Sequence, residues 1–186
     1  MIDTWIKFLI FVVVTAEILH LSWPSLANLR SHGFYRFFAW ESVLLMCLRN
    51  VPYFFRRPTS VHQILALSCV GISSTLAVYG FGLLHRVGRP AASRSGPALL
   101  WMERTTVLVT VGAYRFVRHP LYCSFLFLIW GVFLVLPSWQ AAVPASIASI
   151  SIVAAAKVEE QENLDYFGTV YEQYMKRTKM FVPYIL

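Results

Sequence analysis

Charge is scarce in this sequence. Of its 186 residues only 13% are Asp, Glu, Lys or Arg, against roughly a quarter in a typical soluble domain, which argues against an ordinary water-soluble globule. Acidic residues are the rarest charge, nine against sixteen Lys and Arg, for a formal net charge of +7. No basic-aromatic module or base-reading motif accompanies that excess, so it does not point to nucleic acid. With 58% hydrophobic residues and a mean hydropathy of +0.60, it points to anionic lipid headgroups. Cysteine is scarce too. Cys47, Cys69 and Cys123 are odd in number, widely spaced and set inside apolar runs, which excludes a disulfide framework and a zinc site. No internal repeat or low-complexity tract is present.

What the chain does have is long, continuous apolar runs. About 20 apolar residues span a bilayer as a helix, and continuous rather than alternating runs specify helices. Phe8 to Trp23, Phe34 to Phe55, Ile64 to Leu84, Leu121 to Leu136 and Trp139 to Ala156 read as five spans. The second is interrupted by Glu41, Arg49 and Pro52. The last two are joined at Pro137-Ser138 with no room for a loop, which predicts an antiparallel hairpin. The expected fold is all-α: a polytopic membrane bundle of about five helices in a single domain, residues 1–186. It divides into an N-terminal three-helix part, 1–85, and a core, 107–183. The N-terminal run reads as a retained first helix and not a cleaved signal peptide.

Lys7, Arg49, Arg56 and Arg57 fall at one membrane face and the remaining Lys and Arg residues at the other. The positive-inside rule places that second face, with the C-terminus, in the cytoplasm. Two segments on this face are more than connectors. Arg89 to Pro97 reads as a flexible Pro/Ala/Ser/Gly stretch, and Leu99 to Val111 as a segment packing against the membrane. Glu160 to Lys179 reads as one amphipathic helix, acidic early and basic late as a helix dipole favours, with Gly168 as its weak point.

A dense polar cluster stands at each end of the apolar block from Leu121 to Ala156, which carries no charge. At the front are Arg118, His119, Pro120, Leu121 and Tyr122. Pro120 marks a helix start, where free N–H groups and the positive dipole end attract an anion. Arg118 adds a forked, permanent cation. At the rear are Glu159 and Glu160, which the hairpin returns to the same face and which suit an amine or a sulfonium. Together they form a site for a zwitterion. Gly80 and Gly82 near the end of the third span read first as packing glycines, with a glycine pair that touches a bound ligand as the alternative. Glu17, His20 and Glu41 are expected to satisfy one another across helices.

The order Gly112-Ala113-Tyr114-Arg115-Phe116-Val117-Arg118-His119-Pro120-Leu121-Tyr122, then Glu159-Glu160, Phe167-Gly168 and Tyr171-Glu172-Gln173-Tyr174 resembles the C-terminal core of the isoprenylcysteine carboxyl methyltransferase family. That superfamily also contains the membrane phospholipid N-methyltransferases. The resemblance covers roughly Val107 to Pro183. It implies an S-adenosyl-L-methionine cofactor held by His119, Pro120, Leu121, Tyr122, Glu159 and Glu160, with Gly112 and Tyr114 of the motif beside it. It implies that Arg118 and Arg177 stand near a substrate carboxylate, and that the tail caps a cytoplasmic cofactor pocket. Three positions depart from the family pattern. Ala113 stands where proline is frequent, Ser124 where glycine is usual, and Thr178-Lys179 follow Arg177 in place of Val-Pro.

The implied reaction is methyl transfer to a lipid-like acceptor without a metal. Carboxyl O-methylation of a prenylcysteine-like amphiphile fits best, because a carboxylate needs no general base. Phospholipid N-methylation is the alternative. A nicotinamide-dependent sterol reductase and a non-catalytic lipid-binding protein stand further off.

Overall fold

The structure, a computed structural model, describes residues 4–56, 59–94 and 99–184. Helices carry the described fold: α1 (Thr4–Leu26), α2 (His32–Asn50), α3 (Val61–Arg86), α4 (Pro120–Val135), α5 (Trp139–Phe167) and α6 (Thr169–Arg177). Short 3-10 turns lie at Val51–Tyr53, Trp101–Glu103 and Gly112–Arg115. Arg57 and residues 95–97, which entered the charge count and the flexible stretch, lie outside the described residues.

Local chemistry sets the helix ends. Ser60 Oγ and Ser138 Oγ accept from the backbone N–H groups of Gln63 and Ala141, each at 3.3 Å, and so cap α3 and α5. Pro120 occupies the first position of α4. Arg86 closes α3 as a cation at the negative end of its dipole.

Helices α1, α3 and α5 are long and apolar enough to cross a membrane. Helix α4 is apolar but shorter, at 16 residues, and α2 carries Arg36, Glu41 and Arg49. Even so, α2 runs alongside the same bundle, between the end of α5 and the end of α4. Its first residue bonds near the end of α5, His32 Nδ1 to Glu162 Oε2 at 2.6 Å. Its last residue reaches the end of α4, Asn50 Nδ2 donating to the Val132 carbonyl at 2.7 Å.

Packing follows side-chain size. Ala141, Ala145, Ala148, Ile152 and Ala155 repeat at helical spacing on α5 and are at most 1% exposed. This stripe of small residues lets α5 approach α2 closely, where Ala39, Val43 and Met46 meet it in the core. Helix α4 packs chiefly on α3, and α5 chiefly on α2, with a smaller α4–α5 contact. Two glycines make the α3–α4 approach possible. A Cβ on Gly131 would stand 3.2 Å from the Ala66 carbonyl, and one on Gly80 would stand 3.1 Å from Leu121 Cδ2. Gly80 is thus a packing glycine, whereas Gly82 faces open space.

Three expectations need correction. The tail is not one helix from Glu160: α5 continues through Glu159-Glu160 to Phe167, and α6 begins anew after Gly168. Gly168 sits at φ +57°, a left-handed conformation that costs glycine little and other residues about 1–2 kcal/mol. Glu41 does not pair with Glu17 or His20, both exposed; its carboxylate accepts from Thr15 Oγ1 at 2.9 Å. The described part of the stretch from Arg89, up to Arg94, is not a loose connector, because Arg94 is buried and bonded across the fold.

Candidate functional site

The end of α3, the segment after it, the start of α4, the end of α5 and α6 enclose a pocket of about 700 Å³ counting its open mouth. Of the site residues expected from sequence, Tyr114, Arg118, His119, Leu121, Tyr122 and Glu159 line it. The other four expected residues are not in its lining. Glu160 lies behind the wall, Pro120 packs toward Gly80, and Gly112 forms a turn at φ +62° under Tyr79. Arg177 is exposed on the far side of α6.

Glu160 is the anchor of the wall. Its Oε1 accepts from Arg118 Nε at 2.5 Å, with both side chains at most 10% exposed. Arg118 Nη1 also donates to the Thr178 carbonyl at 2.6 Å. One arginine thereby ties the start of α4 to α5 and to the tail. His119 Nε2 lies 3.4 Å from the same Glu160 oxygen without closing a hydrogen bond, and its ring stacks on Tyr122. The Tyr122 hydroxyl is buried toward Glu159, again without a hydrogen bond of good geometry. Leaving such groups unmet costs about 1–3 kcal/mol each, so the pair is poised for a polar ligand.

The tail is pinned by Tyr174, whose hydroxyl donates to the Tyr114 carbonyl at 2.6 Å. Burial raises the hydroxyl pKa of both tyrosines, so they stay neutral hydrogen-bonding groups.

The opposite wall was not foreseen. Arg94 Nη1 donates to the Thr105 carbonyl at 2.9 Å and Nη2 to Asn163 Oδ1 at 2.6 Å, while its guanidinium lies 4.3 Å from the Tyr166 ring centre. Glu103, also in the lining, accepts from Arg36 Nη1 at 2.6 and 2.7 Å and lies 3.3 Å from His32 Nε2. Burial alone would push the Glu103 carboxyl up; the Arg36 charge and the His32 contact hold it down at about 2. Burial likewise opposes a proton on His32, but hydrogen bonding to Glu103 and Glu162 raises its pKa to about 10. His32 is therefore a cation at neutral pH, clasped between two carboxylates. The sequence held one signal for this wall: Glu103 is the sole acidic residue between Arg86 and Arg118.

The arrangement offers Glu159 toward a cation, Arg118 and the α4 start toward an anion, and aromatic and aliphatic walls between. Residues 61–173 match the phospholipid methyltransferase family. The chain belongs to this family.

Relatives of the chain differ in what their names say they methylate. The chain is 34% identical over 73 residues to methanethiol S-methyltransferase 1 of Bradyrhizobium diazoefficiens, covering 38% of this chain and 24% of that protein. It is 33% identical over 78 residues to a methanethiol S-methyltransferase of Crocosphaera subtropica, covering 41% and 29%. A protein-S-isoprenylcysteine O-methyltransferase of Schizosaccharomyces pombe is 28% identical over 148 residues, covering 76% and 58%. The chain thus matches about a quarter of the length of the two methanethiol relatives and little more than half of the third. No solved structure matches it significantly.

Proposed function

We propose that this phospholipid methyltransferase family member is an integral membrane methyltransferase that uses S-adenosyl-L-methionine and methylates an amphiphile entering from the bilayer. The observation that carries the reading is the convergence of buried, unmet His119 and Tyr122 with Glu159 in one pocket. The cofactor, when bound, supplies a methyl group already activated on a sulfonium. Glu159 would face its cationic parts, Tyr122 and His119 would donate to it, and the α4 start would receive its carboxylate. Arg118 and Glu160 act as positioning residues that hold both walls and the tail in register. The protein's task is then alignment and exclusion of water.

For the acceptor, a carboxylate on a prenylcysteine-like amphiphile is the first reading. Arg118 lines the pocket and spends Nε and Nη1 on Glu160 and Thr178, which leaves Nη2 for a single contact to such a group. A second reading, a thiol or amine acceptor, is favoured by the placement of the cations. Arg94 is committed to Thr105 and Asn163, and Arg177 stands outside the lining. The pocket lies at the end rich in Lys and Arg, which supports a cytoplasmic opening by the positive-inside rule.

Two assays test this. S-adenosylhomocysteine should raise the melting temperature of the purified chain, and a reduced nicotinamide should not; the reverse would move the chain to a reductase. Methyl-labelled cofactor incubated with membranes should yield a base-labile ester for a carboxylate acceptor and a base-stable product for an amine or thiol.

A further inference from the structure

We infer that a basic ledge outside the cofactor pocket binds the phosphate of an anionic phospholipid. The ledge consists of Arg115, Lys176, Arg177 and Lys179, with Phe116 and Tyr184 lining the same cleft of about 670 Å³ counting its open mouth. Two backbone segments build it. Arg118 N donates to the Lys179 carbonyl at 2.8 Å, and Lys179 N to the Phe116 carbonyl at 3.4 Å. This short parallel pairing, centred on Val117 and Lys179, fixes Arg115-Phe116 beside Arg177–Lys179.

Charge decides the occupant. All four cationic residues are exposed, and the acidic side chain against them is Glu172, 2.7 Å from Lys176 Nζ. Glu172 offsets one cation and leaves a strong positive excess, which favours an anionic headgroup over a zwitterionic one. Position decides that the anion is a lipid. The ledge sits just ahead of Pro120, where the apolar helix α4 begins, and so lies at the membrane surface. Phe116 is 48% and Tyr184 84% exposed, as aromatic residues are at headgroup level. A phospholipid would place its phosphate among the four cations and its upper chain against these rings.

The pairing also links the ledge to the pocket, since Arg118 contributes its backbone to one and its side chain to the other. Lipid on the ledge would hold the tail segment that Arg118 staples down.

The test uses the full chain in a neutral detergent, as wild type and as the triple variant Arg115→Gln, Lys176→Gln, Lys179→Gln. Thermal unfolding is followed with added phosphatidylglycerol, phosphatidylcholine or inorganic phosphate, and helical circular dichroism confirms that both proteins are folded. Phosphatidylglycerol should raise the wild-type melting temperature by roughly 3–6 °C, as ligand binding to the folded state does. The variant should show less than half that rise, and phosphatidylcholine should move neither protein. An equal rise in both proteins, an equal rise with phosphatidylcholine, or reproduction of the effect by inorganic phosphate overturns the inference. The readout needs no cofactor, so it stands or falls separately from the methyltransferase reading.

Discussion

The Arg118 guanidinium closes on the Glu160 carboxylate, Nε to Oε1 at 2.5 Å, across 42 residues of sequence. The paired glutamates therefore differ in role. Glu159 faces the pocket, while Glu160 neutralises the arginine that holds helix and tail together.

Glu160→Gln should leave a nearly buried guanidinium without its counter-charge. Breaking a buried pair from one side costs about 3–5 kcal/mol, so denaturant unfolding in detergent should show a loss of that order. Cofactor affinity should fall with it. Arg118→Lys should not preserve the site, because an ammonium lacks the fork that reaches Glu160 and Thr178 at once.

Arg94→Lys should lose at least the bridge to Asn163, since Arg94 joins Thr105 to Asn163 through separate nitrogens. Hydrogen bonds from charged donors are worth about 1.5–3 kcal/mol. Stability should drop by that amount, and S-adenosylhomocysteine should protect the variant less than wild type. Arg89→Lys, on an exposed side chain, should change neither.

The charge cluster around His32 should shape the pH dependence of stability. The folded pKa of His32 is raised to about 10, so its contribution is complete below its ordinary value near 6.5 and is lost as pH rises toward 10. Glu103 is lowered to about 2, so its contribution is complete above its ordinary value near 4.5 and is lost as pH falls toward 2. Melting temperature should therefore decline above about pH 6.5 in wild type. In His32→Gln the alkaline decline should be shallower; an identical decline would remove His32 as its cause.

Gly131→Val should be costly, because even a Cβ there meets the Ala66 carbonyl at 3.2 Å and overpacking costs about 1–3 kcal/mol. Gly82→Ala meets nothing within 4 Å and should be neutral or stabilising, by up to about 1 kcal/mol. Thermal unfolding of the two variants distinguishes packing glycines from incidental ones.

What was legible in the sequence follows from the range of the interactions involved. Apolar runs showed α1, α3, α4 and α5 because a span is a local property of composition. The front cluster was legible because Pro120 marks a helix start beside charged neighbours. Helix α2 was harder to read: its polar residues His32, Arg36 and Asn50 bond to partners far along the chain, Glu162, Glu103 and Val132. Arg94 was hidden in the same way, since its surroundings in sequence are those of a flexible loop and its partner Asn163 is 69 residues away. The break at Gly168 was visible only as a weak point, because a backbone reversal depends on what the next helix packs against. Here that is the Gly112–Arg115 turn, reached by Tyr174.

The central claim is that His119, Tyr122 and Glu159 form one wall of an S-adenosylmethionine pocket. Titration calorimetry of S-adenosylhomocysteine into the purified chain tests it most directly. Wild type should bind measurably, His119→Ala and Glu159→Gln at least tenfold more weakly, and Gly82→Ala as tightly as wild type. Wild-type affinity in both site variants, or no binding by the wild-type chain, would contradict it.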